Sequence, residues 1–88
     1  MSNTTRRDTS AQARDYLTRK ISEIKYRIDA RNAHGATRGM YGKSAILTLI
    51  DQVDGSLRLA YLLNLVRMGE DFYDDIRAAL DDARKAVK

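Results

Sequence analysis

Three apolar stripes, each repeating every three or four residues, constrain this chain more than any other feature, because only a helix brings such positions onto one side. Ala13, Leu17, Ile21, Ile24 and Ile28 form the first, Ile46, Ile50, Val53, Leu57 and Ala60 the second, and Phe72, Ile76, Leu80, Ala83 and Val87 the third. Strand-like alternation is weak and proline is absent, so nothing interrupts the helical period. The pattern predicts an all-α fold: two long antiparallel helices and a C-terminal third helix, at about residues 9–33, 43–68 and 70–87. Residues 1–8 are polar and lack a period, so they read as a flexible tail ahead of a single helical domain, 9–88. Asp8, Thr9 or Ser10 is positioned to cap the first helix.

The second helix changes character midway. From Leu57 to Val66 the string LRLAYLLNLV is apolar nearly all round, and such a helix needs cover on more than one side. It is too short and too interrupted by Arg58 and Asn64 to read as a membrane span. One side is expected to meet the chain itself and another a neighbouring subunit. Gly55, Leu59, Leu62 and Val66, with Thr48, share the face opposite the main stripe, and a mid-helix glycine there lets another helix approach closely. The expected interface is therefore Gly55, Leu59, Leu62 and Val66. Gly69 reads as the cap that ends this helix.

Size points the same way. A chain of 88 residues, with 43% hydrophobic residues and one phenylalanine, buries a modest core, and self-association is one way to enlarge it. Cysteine is absent, which removes disulfides and cysteine zinc sites. With no secretory segment at its start, the expected location is cytoplasmic.

Between the first two helices lies GATRGMYGKSA, residues 35–45, a basic glycine-rich loop opening into a helix. Gly35 suits the carboxyl cap of the first helix. Gly39 and Gly42 let backbone approach a ligand, Arg38 and Lys43 bring charge, and Ser44 brings a hydroxyl beside the open amides of a helix start. The residues fit an anion. They do not fit a nucleotide-triphosphatase loop, which needs a glycine where Thr37 stands and a strand before it. Tyr16, Lys20 and Arg27 border the first stripe, where a half-buried side chain still reaches a ligand.

Charge is distributed unevenly. Residues 1–44 hold ten Lys or Arg and four Asp or Glu, whereas residues 45–88 hold six and eight. The basic half contains the loop, which favours a polyanionic partner there. In the third helix Glu70 and Asp71 precede Arg84, Lys85 and Lys88, matching the helix dipole, with Asp81 and Lys85 spaced to pair. Chemistry is sparse by comparison: His34 is the only histidine, its place beside a helix-ending glycine suits a surface or capping role, and the acids lack metal-ligand spacing. The sequence reads as a non-enzyme, with no cofactor and no metal.

The string KSAILTLIDQV, residues 43–53, resembles a phage-encoded helical-hairpin family that sequesters cyclic oligonucleotide signals and so blocks the bacterial immune pathway known as CBASS. Tyr16, Lys43, Ser44, Thr48 and Ile50 occupy places similar to those of that family's tyrosine, lysine, serine, threonine and apolar residues, and the overlap spans about residues 13–66. The resemblance implies a symmetric homo-oligomer holding cyclic di- or trinucleotides between subunits, a sponge without chemistry in the host cytoplasm. On that reading the ligand residues are Tyr16, Lys20, Arg38, Gly39, Tyr41, Gly42, Lys43 and Ser44: Lys43, Ser44 and loop amides on phosphate, Arg38 adding charge, Tyr16 or Tyr41 stacking a base. The alternative is a small basic helical module that binds DNA or RNA, or inhibits a nucleic-acid-handling protein.

Overall fold

The first stripe lies on a helix that sets the length of the molecule. In the computed structural model, which describes residues 2–87 and the side chains of residues 9–87, α1 runs Ser2–His34, α2 Lys43–Leu62 and α3 Asp71–Ala86, with a 3-10 turn at Gly39–Tyr41. No strand occurs among the described residues. At 1.5 Å per residue the 33 residues of α1 span about 50 Å, against overall dimensions of 49 × 22 × 17 Å. The helix begins further toward the amino end than the expected start near residue 9. Ser10 consequently lies inside it and caps nothing; its hydroxyl donates to the Leu65 carbonyl at 2.8 Å.

The three stripes meet in one core. Leu17, Ile21, Ile24 and Ile28 from α1, Ile46, Leu49, Ile50, Val53, Leu57 and Ala60 from α2, and Ile76, Leu80 and Ala83 from α3 with Val87 beyond it are buried, and Phe72 packs half-buried against them. Among the described residues no polar residue is buried with them, so apolar contact holds this core. Ala13 borders it, half-buried.

Polar ties fix how the helices meet. Arg14 of α1 reaches Glu70 ahead of α3 at 2.8 Å and lies 5.0 Å from the centre of the Phe72 ring, while Asn32 donates to the Ala86 carbonyl at 2.8 Å. On the other side Asp54 of α2 receives Arg77 at 2.9 Å and Arg84 at 3.5 Å. Arg84 also takes Asp81 at 3.8 Å, so the expected Asp81–Lys85 pair is replaced by one a residue closer.

α2 is shorter than its sequence suggests, and the reason is Asn64. Its φ of 61° is the left-handed conformation in which asparagine is next to glycine in tolerance. The Asn64 amide donates to Tyr61 O at 3.0 Å and the Leu65 amide to Ala60 O at 2.8 Å, the paired bonds of a Schellman stop. Gly69 therefore does not end this helix. It sits at the third position of the turn Arg67–Glu70, which closes with a bond of 3.2 Å just before α3, where a positive φ is required.

The early stop also redistributes the expected interface. Val66, turned inward after Asn64, is 1% exposed in the core of its own chain, whereas Leu59 and Leu62 point outward. Gly55 is exposed, and a side chain there would meet nothing within 4 Å. Among the described residues no helix is long and apolar enough to cross a membrane.

Candidate functional site

Everything around the loop follows from where α1 stops and α2 starts. Gly35, with φ 73°, turns the chain out of α1 through a bond from its amide to Arg31 O at 3.1 Å. The 3-10 turn then folds back, Tyr41 N donating to Arg38 O and Gly42 N to Gly39 O, both at 3.1 Å. Arg31 holds the turn by donating to the Tyr41 carbonyl at 3.2 Å. Gly42 is needed for closeness: a Cβ there would stand 3.3 Å from Gly39 O and 3.6 Å from Thr37 O, both backbone atoms.

Gly42 also caps α2, and having no side chain it offers the helix no acceptor. The first intrahelical bond runs from Ile46 N to Gly42 O at 3.0 Å, which leaves the amides of Lys43, Ser44 and Ala45 pointing out of the helix end. No acid occupies the first turn of α2. The helix start thus presents donors and the positive end of a dipole with nothing of its own to balance them.

Ser44 and Ala45 of this helix start border a groove of about 640 Å³ between α1 and α2, to which Lys20, Arg27, Gly39, Gly42 and Thr48 also contribute. Lys20 and Arg27 are seven residues apart, two turns of α1, and so face the same way. Between them Glu23 accepts from Lys20 Nζ at 3.1 Å and from Arg27 at 2.7 Å. The hydrogen bond from Lys20 holds the Glu23 carboxyl below its ordinary pKa, opposed by burial and aided by the charge of Arg27. Two cations against one carboxylate leave the wall positive. Arg27 Nε is shielded from solvent and has no acceptor within the described chain, an arrangement that costs about 1–3 kcal/mol unless something accepts that hydrogen. Tyr16 stands at the edge, with Lys20 Nζ 5.7 Å from the centre of its ring.

The expected ligand residues divide around this geometry. Lys20, Gly39, Gly42 and Ser44 come together, with Tyr16 adjoining through Lys20. Arg38 and Tyr41 face a separate, smaller depression of about 300 Å³ with Gly35 and Thr37. Tyr41 is already engaged: its ring lies 6.5 Å from that of Tyr26, and the neighbouring Tyr26 phenol raises that of Tyr41 above its ordinary pKa. Lys43, the first residue of α2, is exposed and lines neither depression. Arg27 and Thr48 belong to the groove although neither ranked among the expected ligand residues; the signal for Arg27 was its place beside the first stripe.

A second groove of similar size lies elsewhere. It holds about 660 Å³ between α1 and α3 and is rimmed by Asp29, Asp75 and Asp82, which repel an anion. His34, the last residue of α1, is exposed, and no group of three metal-ligating side chains occurs among the described residues. Comparison with family models, with curated proteins and with solved structures finds no match to this chain.

Proposed function

We propose that this chain is a non-catalytic binding protein whose ligand is a small phosphate-bearing molecule held where α2 begins. One observation carries the reading: Lys20 and Arg27 of α1 converge with the uncapped amides of α2 on a single groove of about 640 Å³. Helix-end amides and cations together are the arrangement that recognises phosphate. The volume lies within the range of small-molecule sites. Cyclic di- and trinucleotides are the ligand class named by the hairpin resemblance, and they suit a groove with phosphate donors at its floor and Tyr16 at its edge to stack a base.

The role that follows is sequestration: a protein that holds a cyclic messenger and leaves it intact lowers its free concentration, which is how a phage blunts a CBASS response in the host cytoplasm. The antiparallel hairpin belongs to the same proposal. It is supported by the short connection from His34 to Lys43 and by the bond from Ser10, early in α1, to Leu65 just past α2. Self-association belongs to it too, supported by Leu59 and Leu62, exposed on a chain with a small core.

Calorimetric titration of the full chain with cyclic dinucleotides and trinucleotides, beside a short DNA duplex, tests the reading. A cyclic ligand is expected to bind with shallow salt dependence, since it presents two or three phosphates, and Lys20→Ala is expected to weaken it about tenfold, the loss of one charge-assisted contact of about 1.4 kcal/mol. Binding of duplex alone, falling steeply with salt, overturns the small-ligand reading in favour of a nucleic-acid module.

A further inference from the structure

Four large apolar side chains stand clear of the core beside the end of α2: Leu59 at 56% exposure, Leu62 at 71%, Leu63 at 57% and Met68 at 61%. Leu59, Leu62 and Leu63 follow the i, i+3, i+4 spacing and form one ridge. Single exposed leucines are ordinary; a cluster on so small a chain marks a contact surface. The Asn64 stop creates it, because the reversal sends Val66 into the core and leaves the preceding leucines outside. Arg58, which lines a depression with Leu62 and Met68 and stands 3.4 Å from Asp54, and Arg67, next to Met68 in the chain, are both exposed.

The same chain carries a surface of opposite character. The groove between α1 and α3 is lined by Ile28, Ala79 and Ala83, so small side chains leave about 660 Å³ that this chain does not fill. On its rim Asp29, Asp75 and Asp82 are exposed, and none has an ion-pair partner among the described residues. Lys25 completes the rim one turn before Asp29. Bulk flanked by arginine meets space flanked by aspartate, and opposite potentials of this kind orient an encounter.

We infer that the α1–α3 groove receives the Leu59–Leu63 ridge of a second copy of this chain, with Arg58 and Arg67 of that copy beside the aspartate rim. The inference rests on the self-association proposed above and adds which surfaces meet. Ridge and groove are different patches, so the contact is heterologous: every chain offers one of each.

Sedimentation velocity of the full chain across the micromolar range tests this with two surface variants, Leu62→Glu on the ridge and the double variant Asp75→Arg, Asp82→Arg on the groove. Each altered position is exposed, and thermal melts by circular dichroism confirm that both variants fold. Wild type is expected to associate with rising concentration. Each variant alone is expected to lose at least tenfold in association, and an equal mixture is expected to form a one-to-one complex, since one variant keeps its groove and the other its ridge. Wild-type protein that stays monomeric throughout overturns both the self-association and the docking. A groove variant that associates like wild type, while the ridge variant does not, overturns the docking alone.

Discussion

Replacing Ser44 by glutamate should separate folding from binding at the start of α2. Ser44 is the second residue of that helix, exposed, with no acid in the first turn and a cap that has no side chain. A carboxylate there faces the open amides of residues 43–45 and the positive end of the dipole, worth about 0.3–1 kcal/mol. Nothing buried is lost. For a domain of this size the gain corresponds to a rise in melting temperature of roughly 1–8 °C, smaller at high salt because the position is exposed. The same carboxylate occupies the donors that a phosphate needs. Placed about 5 Å from a phosphate, it opposes binding by about 1–3 kcal/mol at effective dielectric constants between those of bulk water and a protein surface, which is a loss of about fivefold to a hundredfold. Ser44→Gln, similar in shape but uncharged, should do neither. Thermal melts and calorimetry on the three proteins check both halves. A glutamate variant that is more stable and binds a cyclic nucleotide as well as wild type refutes the placing of the ligand at this helix end, and one that loses stability refutes the account of an uncapped helix.

Three further outcomes are expected. Gly55→Ala should stabilise the chain by about 0.5–1 kcal/mol in a urea melt, because the position is helical and a methyl group there meets nothing within 4 Å; destabilisation at association-competent concentration would show a close neighbour at that position. Asn64→Gly should leave the melting temperature within a few degrees of wild type, since the small left-handed strain of asparagine is offset by the added freedom of the unfolded chain, about 0.4–1 kcal/mol; a large fall would mean that the Asn64 side chain, not the backbone turn, holds the helix end. Acid should destabilise the fold through Glu70 and Glu23. Glu70 is held below its ordinary pKa chiefly by the Arg67 amide and then by Arg14, and Glu23 chiefly by Lys20. A depressed folded pKa contributes stability above the unfolded value of about 4.3, lost as pH falls through the folded value. Melts between pH 7 and pH 3 should therefore fall below about pH 4.5, and Glu70→Gln should flatten part of that fall; an unchanged slope would remove the Arg14–Glu70 tie from the stability of the fold.

The helices were legible because burial is written into spacing. A leucine or isoleucine every three or four residues faces one way whatever the rest of the chain does, so Leu17 to Ile28, Ile46 to Ala60 and Ile76 to Val87 reach the core as the sequence suggests. The end of α2 was not legible in the same way. LRLAYLLNLV continues the apolar period through Asn64, and the stop depends on two backbone bonds, from Asn64 and Leu65, that exist only once the chain has turned. Asparagine in place of glycine hid that signal, and Gly69 drew it to the wrong residue.

The basic loop was legible in outline for a comparable reason. Glycines and a helix start are local features, so Gly39, Gly42 and Ser44 could be placed from the sequence, while which side chains share a depression is set by the 3-10 turn. That turn sends Arg38 and Tyr41 to one side and leaves Gly39 and Gly42 on the other with Lys20 and Arg27. Arg27 is half-buried beside the first stripe and committed to Glu23, a placement that needs both helices to be seen.

Amide chemical-shift mapping by two-dimensional NMR, as a cyclic dinucleotide is added to the isotopically labelled full chain, tests the central claim most directly. The account predicts saturable shifts concentrated at the amides of Gly39 and Gly42 through Ala45 and at Thr48. Shifts that are absent, or that fall on α3 and its aspartates with the start of α2 unmoved, would contradict it.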